Sequence, residues 1–470
     1  MKYTFLRTAF IALVCGGVVA SSAQAQVSLI AKGTLTGSAA GPNEDLSGLK
    51  GTLENGAPAN LLGGLGSGIA HVSGDTFLAV PDRGPNAVSF NSLVDDTVTW
   101  IPRVHTVRMN LEPNRGSGLP YTISPKLVDT TLLSSLLPLV YGTGDGLNIG
   151  PGKPKQNTFF RNYFSGRSDN FDANSNSGDP RDARFDPESI RLSNDGLTFF
   201  ISDEYGPYIH QFLRTGERIR SYRLPDEFYV AHPAPTTDQE ISMNSSGRIA
   251  NKGMEGLAIT PDGRKLVGIL QTATIQDTAE GGDAANLLRM AVVDVLSGKV
   301  LHEYGYLLTT GSGVSDIVAL NDHELLVDER DGKGLGDGSK AKVKQIFKID
   351  LDNATDIQGM DGTAAAKVPV SKTLFLDVVD VLKANGMTAD QIPAKIEGLA
   401  FGPDVKEKGK TLHTLWVAND NDFLQDYDGV VGSNPNQFFV FGFTDADLAG
   451  SKYVPQGHSN GGLFGNGGWF

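Results

Sequence analysis

Pro187-Glu188-Ser189-Ile190-Arg191-Leu192, a turn at Asn194-Asp195-Gly196, and then Leu197-Thr198-Phe199-Phe200-Ile201-Ser202-Asp203-Glu204-Tyr205-Gly206 form the stretch that decides the fold. Two apolar runs of strand length flank a turn whose glycine suits a positive φ, which predicts a β-hairpin. The hairpin begins on a carboxylate and ends on a charged cluster. The same plan recurs four more times along the chain. Leu65-Gly66-Ser67-Gly68-Ile69-Ala70 leads to Pro81-Asp82-Arg83-Gly84, and Met254-Glu255-Gly256-Leu257 leads to Leu270-Gln271. Ser315-Asp316-Ile317-Val318 leads to Val327-Asp328-Glu329-Arg330, and Ile396-Glu397-Gly398-Leu399-Ala400 leads to Asn419-Asp420-Asn421-Asp422.

Further strand-like runs follow most copies, among them 104–111, 209–213, 290–295, 343–351 and 437–443, giving about four strands per unit. The fold expected is therefore all-β, a β-propeller-like ring of about five to seven four-stranded blades with long Gly/Asn-rich loop insertions. The leading residues are 67 (188 to 255), 61 (255 to 316) and 81 (316 to 397) positions apart. The 121 positions from Ser67 to Glu188 are read as one unit and a large insertion, with 142–182 as a surface excursion. Residues 27–53 are expected to supply a closing strand beside the last copy. The only amphipathic helical pattern is over 374–385.

The chain opens with Lys2 and Arg7, an apolar run from Ala9 to Ala20, and Ala23-Gln24-Ala25. This order predicts a secretory signal over residues 1–25 with cleavage after Ala25, because the apolar run falls short of the ~20 residues that cross a bilayer. Residues 26–470 are then read as one propeller domain with a core of about 46–443, periplasmic or secreted, with no stable membrane insertion after cleavage. The single cysteine, Cys15, lies in the signal, so disulfides and thiol catalysis are excluded from the mature chain. Loss of Lys2 and Arg7 leaves 38 basic against 54 acidic residues, moving the formal charge from −14 to −16. Nucleic acid is a poor partner for such a surface.

In a propeller, the first strand of each blade lines the central channel and the end of the second returns to the same rim. Glu188, Glu255, Asp316 and Glu397 are expected at equivalent inner-strand points, with Asp82, Asp203, Glu204, Asp328, Glu329 and Asp420 after second strands. An acidic residue beside glycine also satisfies backbone donors at a tight turn, so each position admits both readings. Taken together, the carboxylates suit a divalent cation, and oxygen ligands without sulfur suit calcium or magnesium. Arg83 and Arg330 are placed to grip an anionic substrate or to pin their own loops. Asp172 to Asp179 places oxygen side chains at alternate positions but lacks the calcium-loop glycine spacing. No G-x-S-x-G elbow or H-E-x-x-H helix occurs, and His71, His105 and His210 are expected to pack.

The motifs Leu46-Ser47-Gly48-Leu49, Pro81-Asp82-Arg83-Gly84-Pro85-Asn86, Pro187-Glu188-Ser189-Ile190, Ser202-Asp203-Glu204-Tyr205-Gly206-Pro207, Met254-Glu255-Gly256-Leu257 and Ile396-Glu397-Gly398-Leu399-Ala400 together resemble the phytase-like family described as having esterase-like activity. The resemblance implies an exported hydrolase of ester or phosphoester bonds on a propeller-like fold, acting on a small anionic or ester substrate. The histidine-phosphatase signature R-H-G-x-R-x-P is absent, so the route expected is a calcium-assisted one. In this reading Glu188, Glu255 and Glu397 are catalytic, Arg83 and Arg330 bind substrate, and Asp82, Asp203, Glu204, Asp316, Glu329 and Asp420 ligate metal. The E-G context is also similar to gluconolactonase-like propellers, which leaves a lactone hydrolase or a non-catalytic binding propeller as alternatives.

Overall fold

The hairpins form because their turns carry residues that can reverse the chain. Gly196 and Gly263 adopt φ of +70° and +73°, a conformation that costs an L side chain but not glycine. A computed structural model describes residues 27–142, 149–206, 208–407, 409–424 and 434–457. The predicted signal lies outside the described residues.

Five antiparallel blades form a ring. The first comprises Gly68–Ser73, Thr76–Val80, Arg103–Arg108 and Lys126–Leu132; the second Pro187–Leu192, Thr198–Asp203, Tyr208–Leu213 and Glu217–Tyr222. The third comprises Met254–Ile259, Lys265–Leu270, Leu287–Asp294 and Val300–Leu307; the fourth Gly313–Ala319, Glu324–Arg330, Lys344–Asp350 and Ser371–Asp377. The fifth takes Lys395–Glu407, Lys410–Asp420 and Asn436–Phe443 from late in the chain and Ser28–Leu35 from its start. That outer strand pairs antiparallel with Asn436–Phe443, so the two ends of the chain close the ring together. The expected closing strand is thus found within 27–53.

The long interval after Ser67 holds one blade, a small hairpin of Leu111–Pro113 with Tyr121–Ile123, and two short strands, Ser134–Ser135 and Asn162–Tyr163, added to the outer edge of the second blade. The expected surface excursion is corrected in part: Phe164 to Asn170 is buried, because Ser165 bonds Ala183 and Phe164 packs on Phe185 and Phe212. The helical pattern of 374–385 resolves into the end of a strand and the helix Val378–Ala384.

Apolar side chains alternate along each strand and pack between neighbouring blades, giving one core at each of the five junctions. On the axis, where the inner strands meet, the packing is polar. Arg191 of the second blade donates to the carboxylate of Asp316 and the carbonyl of Ile317 in the fourth (both 2.7 Å) and to the carbonyl of Ile69 in the first (2.9 Å). Asp316 also accepts from Ser189 Oγ at 2.7 Å and from Leu399 N–H of the fifth blade at 2.9 Å. Ser189 Oγ lies 3.3 Å from the carbonyl of Leu257 in the third. One buried ion pair and its partners thus link all five inner strands.

Removing one member of a buried, hydrogen-bonded pair leaves an uncompensated charge. Asp316→Ala is expected to lower unfolding free energy by about 3–5 kcal/mol, whereas Arg191→Met with Asp316→Leu recovers most of it. Denaturant unfolding checks this; a loss under about 1 kcal/mol for Asp316→Ala, the range of a surface pair, would contradict a linking role.

Candidate functional site

The register of the hairpins decides which side chains face the axis. In four blades the inner strand has a bulge at the same point: the pairing shifts between Pro187 and Ile190, Met254 and Gly256, Val314 and Ile317, and Ile396 and Leu399. A bulge inserts a residue and re-aims the side chain beside it. Counting back from the paired residues Ile190, Leu257, Ile317 and Leu399 aligns Glu188, Glu255, Ser315 and Glu397. Asp316 is therefore one place out of line with the glutamates. It occupies the place of Ser189, Gly256 and Gly398, where inner strands crowd together: a Cβ on Gly256 would lie 2.7 Å from the carbonyl oxygen of Ser315. Asp316 belongs to the axial ion pair rather than to the group of glutamates.

The same counting along the second strands aligns Asp82, Glu204, Gln271, Arg330 and Asp420. All five line a funnel of about 340 Å³ together with Arg83, Glu188, Lys252, Glu255, Lys395, Glu397 and Asp422. One residue earlier on the same strands the side chains point to the other face, as strand alternation requires. Asp203 and Glu329 sit there and do not line the funnel. Asp203 accepts the N–H groups of Asp186 and Tyr205, both at 3.1 Å. Glu329 accepts from the N–H groups of Thr309, Thr310 and Gly311 and from Tyr306 and Lys372. Burial alone would raise the Glu329 carboxyl, but these donors outweigh it and hold it at about 2. The turn-satisfying reading describes these two residues.

In and directly beneath the funnel lining, three groups of charges stand out. Asp82, Asp420 and Asp422 each offer an oxygen within 4.8 Å of the others, and so do Asp186, Glu188 and Glu204. Lys395 joins the first group, at 2.8 Å from Asp420 and 2.5 Å from Asp422. Arg83 joins the second, bonded to Asp186 and 3.5 Å from Glu204. The third group is Arg330, bonded to Glu397 and 3.8 Å from Glu255. Each three-carboxylate group, fully ionised, exceeds its own cation by two charges, which is the charge of one divalent ion. Glu255 adds a buried Oε2 with no hydrogen-bond partner. The donor set is all oxygen, and it fits a hard cation.

Crowding is written in the titration. Burial, and then the charge of Asp420, pushes Asp82 well above the usual carboxylate range; burial and then Glu255 do the same to Glu188. Glu255 rises through burial and then through Glu204 and Glu397. Burial raises Glu397 to about 7 although Arg330 and Lys395 pull it down.

Lys395, Asp422, Asp186 and Gln271 were not singled out from the sequence. Lys395 lies two residues before Glu397 on a strand and Asp186 two before Glu188, so a period-2 count from the glutamates reaches both. The Asp172–Asp179 loop is held by Arg181, which reaches both carboxylates, and it forms no metal group among the described residues. His105 and His210 are buried against Thr130 and Ser221, and burial lowers His105 to about 4.

The sequence profile of the phytase-like family, described as "Esterase-like activity of phytase", matches residues 60–423, which span every group of the funnel. The chain belongs to this family. A phytase-like assignment also covers the insertion after the first blade, which falls inside the matched region. An "Uncharacterized secreted protein" of Arthroderma benhamiae is 29% identical over 260 residues, covering 49% of this chain and 47% of the relative. The chain thus aligns with about half the length of that relative. Among solved structures, hydrazine synthase of Kuenenia stuttgartiensis is similar at 15% identity, covering 80% of this chain and 79% of that one, with a TM-score of 0.31. A Bacteroides uniformis protein provisionally named a 6-phosphogluconolactonase is similar at 15% identity, with 79% and 88% covered and a TM-score of 0.29. Both overlaps are shallow, and the activities named belong to those proteins.

Two outcomes follow from the charges. Because raised carboxylates are protonated in the folded state and ionised in the unfolded one, the cation-free protein loses stability as pH climbs from the usual carboxylate range of about 4 through about 7. A bound divalent cation favours the ionised forms, so calcium is expected to raise the melting temperature at about pH 8 and little at about pH 5. Equal shifts at both pH values, read by scanning fluorimetry, would contradict the site. Glu329→Gln is expected to lower the melting temperature and leave the calcium response intact, whereas Glu188→Gln, inside a three-carboxylate group, keeps the fold and weakens the response.

Proposed function

We propose that this phytase-like protein is an exported hydrolase that cleaves a phosphoester or carboxyl ester in the acidic funnel with the help of a divalent cation, calcium by preference. The observation that carries this reading is the pair of three-carboxylate groups, each two charges in excess of its internal cation and both opening on one cavity. The family membership supports ester chemistry, and the Arthroderma benhamiae relative's description as secreted supports export. No helix among the described residues is long and apolar enough to cross a membrane.

Asp82, Asp420 and Asp422 would hold one cation, and Asp186, Glu188 and Glu204 a second. Glu188 therefore becomes a ligand rather than a base. A cation held there supplies charge neutralisation for an anionic substrate oxygen and acidifies a water. Glu255, with an oxygen free of protein partners, takes the proton of the attacking water; Glu397 shares Arg330 with it and holds or returns a proton near neutral pH. Arg330 and Arg83 orient an anionic group at the rim, each keeping a carboxylate partner so that its own position is fixed.

Turnover of p-nitrophenyl phosphate, phytate, p-nitrophenyl acetate and a sugar lactone, with and without chelator, tests the class. Expected is chelator-sensitive cleavage of a phosphoester or an ester, with Glu255→Gln losing about 10²–10⁴ in kcat. Cleavage of the lactone alone would move the protein to another hydrolase class. Calcium binding with no turnover on any substrate would make it a ligand-binding propeller.

A further inference from the structure

The outer edge of the second blade carries four large apolar side chains that are mostly exposed. Phe159 and Phe160 are 88% and 76% exposed, and Leu136 and Leu137 are 61% and 71% exposed. The backbone places these pairs together. Ser134–Ser135 and Asn162–Tyr163 run antiparallel, with Ser135 opposite Asn162, so Leu136-Leu137 and Phe159-Phe160 leave the same end of the pair. The Asn162 side chain bonds the carbonyl of Leu137 at 3.2 Å. Thr158 bridges Arg161, which sets the two phenylalanines at the tip of a tight turn with their rings 4.8 Å apart. Monomeric proteins scatter exposed apolar residues singly, and a cluster of this kind marks a contact surface.

Charge selects the partner. The chain has a formal charge of −14, yet no Asp or Glu occurs from Gly146 to Ser168 while Lys153, Lys155, Arg161 and Arg167 do. Arg167 is buried against Asp169, but Lys153 and Lys155 are exposed. Arg161 is half-exposed and pairs with Glu217. Arg218 and Arg220 of the neighbouring strand are turned to other partners, the carbonyl of Pro180 and those of Val295 and Leu296, so the exposed lysines carry the charge. Aromatic and leucine side chains at a turn tip, beside cations on an otherwise acidic molecule, match the boundary of an anionic lipid leaflet. There the apolar groups enter the acyl region and the cations meet headgroup phosphates.

We infer that this edge docks the protein peripherally on an anionic phospholipid surface, through Phe159, Phe160, Leu136 and Leu137 with Lys153 and Lys155 beside them. The edge shares no lining residue with the acidic funnel, so the contact is independent of the chemistry there.

Sedimentation of the mature chain with vesicles of phosphatidylcholine and phosphatidylglycerol, and with phosphatidylcholine alone, tests the inference. The protein is expected to bind the anionic vesicles. F159S/F160S lowers the bound fraction about tenfold, and K153E/K155E removes the preference for anionic lipid. All variants should melt with the parent, since the substituted side chains are exposed. The inference is overturned if the parent stays in the supernatant with both vesicles, or if F159S/F160S binds as the parent does. It is overturned equally by a dimer, seen in sedimentation velocity, that F159S/F160S abolishes while no vesicle is bound, since the edge then joins two copies of the chain.

Discussion

The five inner strands can approach one another because a single buried ion pair satisfies the polar groups they bring to the axis. Arg191 and Asp316 reach the first, second, fourth and fifth blades, and Ser189 beside them reaches the third. Burial pushes the Asp316 carboxyl above its ordinary range, and Arg191 with the surrounding donors offsets part of that rise. A buried pair of this kind is weak evidence for net stability but a strong device for registry, since it is satisfied in one arrangement of strands. It also divides the channel. On one side lies the acidic funnel; on the other is a cavity of about 360 Å³ lined by Arg191, Leu192, Phe401 and Tyr453.

The funnel inherits its chemistry from that arrangement. With the inner strands fixed, the bulges set Glu188, Glu255 and Glu397 around one opening, and the ends of the second strands add Asp82, Glu204 and Asp420. The protein supplies one cation to each cluster, which offsets part of the repulsion and leaves the rest. Burial first, and the remaining repulsion after it, raise the carboxyls of Asp82, Glu188 and Glu255, and burial raises that of Glu397. A site under this kind of strain is stabilised by protons at low pH and by a hard cation at higher pH.

Much of this was legible from the hairpin copies, because turn glycines and alternating apolar residues report strands directly. The ring, its closing strand from 27–53 and the single unit before Glu188 follow from those signals. Asp316 falls one place after the glutamates because all four copies share the bulge, and matching the fourth on its carboxylate rather than on its paired apolar residue, Ile317, slips it by one position. Asp203 and Glu329 adjoin funnel residues in sequence, but strand alternation turns them away. The arginines Arg83 and Arg330 looked equivalent beside their acidic neighbours, yet register aligns Arg330 with Asp82. Asp186 and Lys395 lie outside the repeated motif, each two positions before a glutamate, where a period-2 count alone reaches them.

The most direct test of the account is a crystal structure of the protein grown with manganese and measured at an anomalous wavelength. Anomalous peaks are expected among Asp82, Asp420 and Asp422 and among Asp186, Glu188 and Glu204, with Lys395 and Arg83 beside them. A funnel with no peak, in which Lys395 and Arg83 alone bridge the carboxylates, would contradict it.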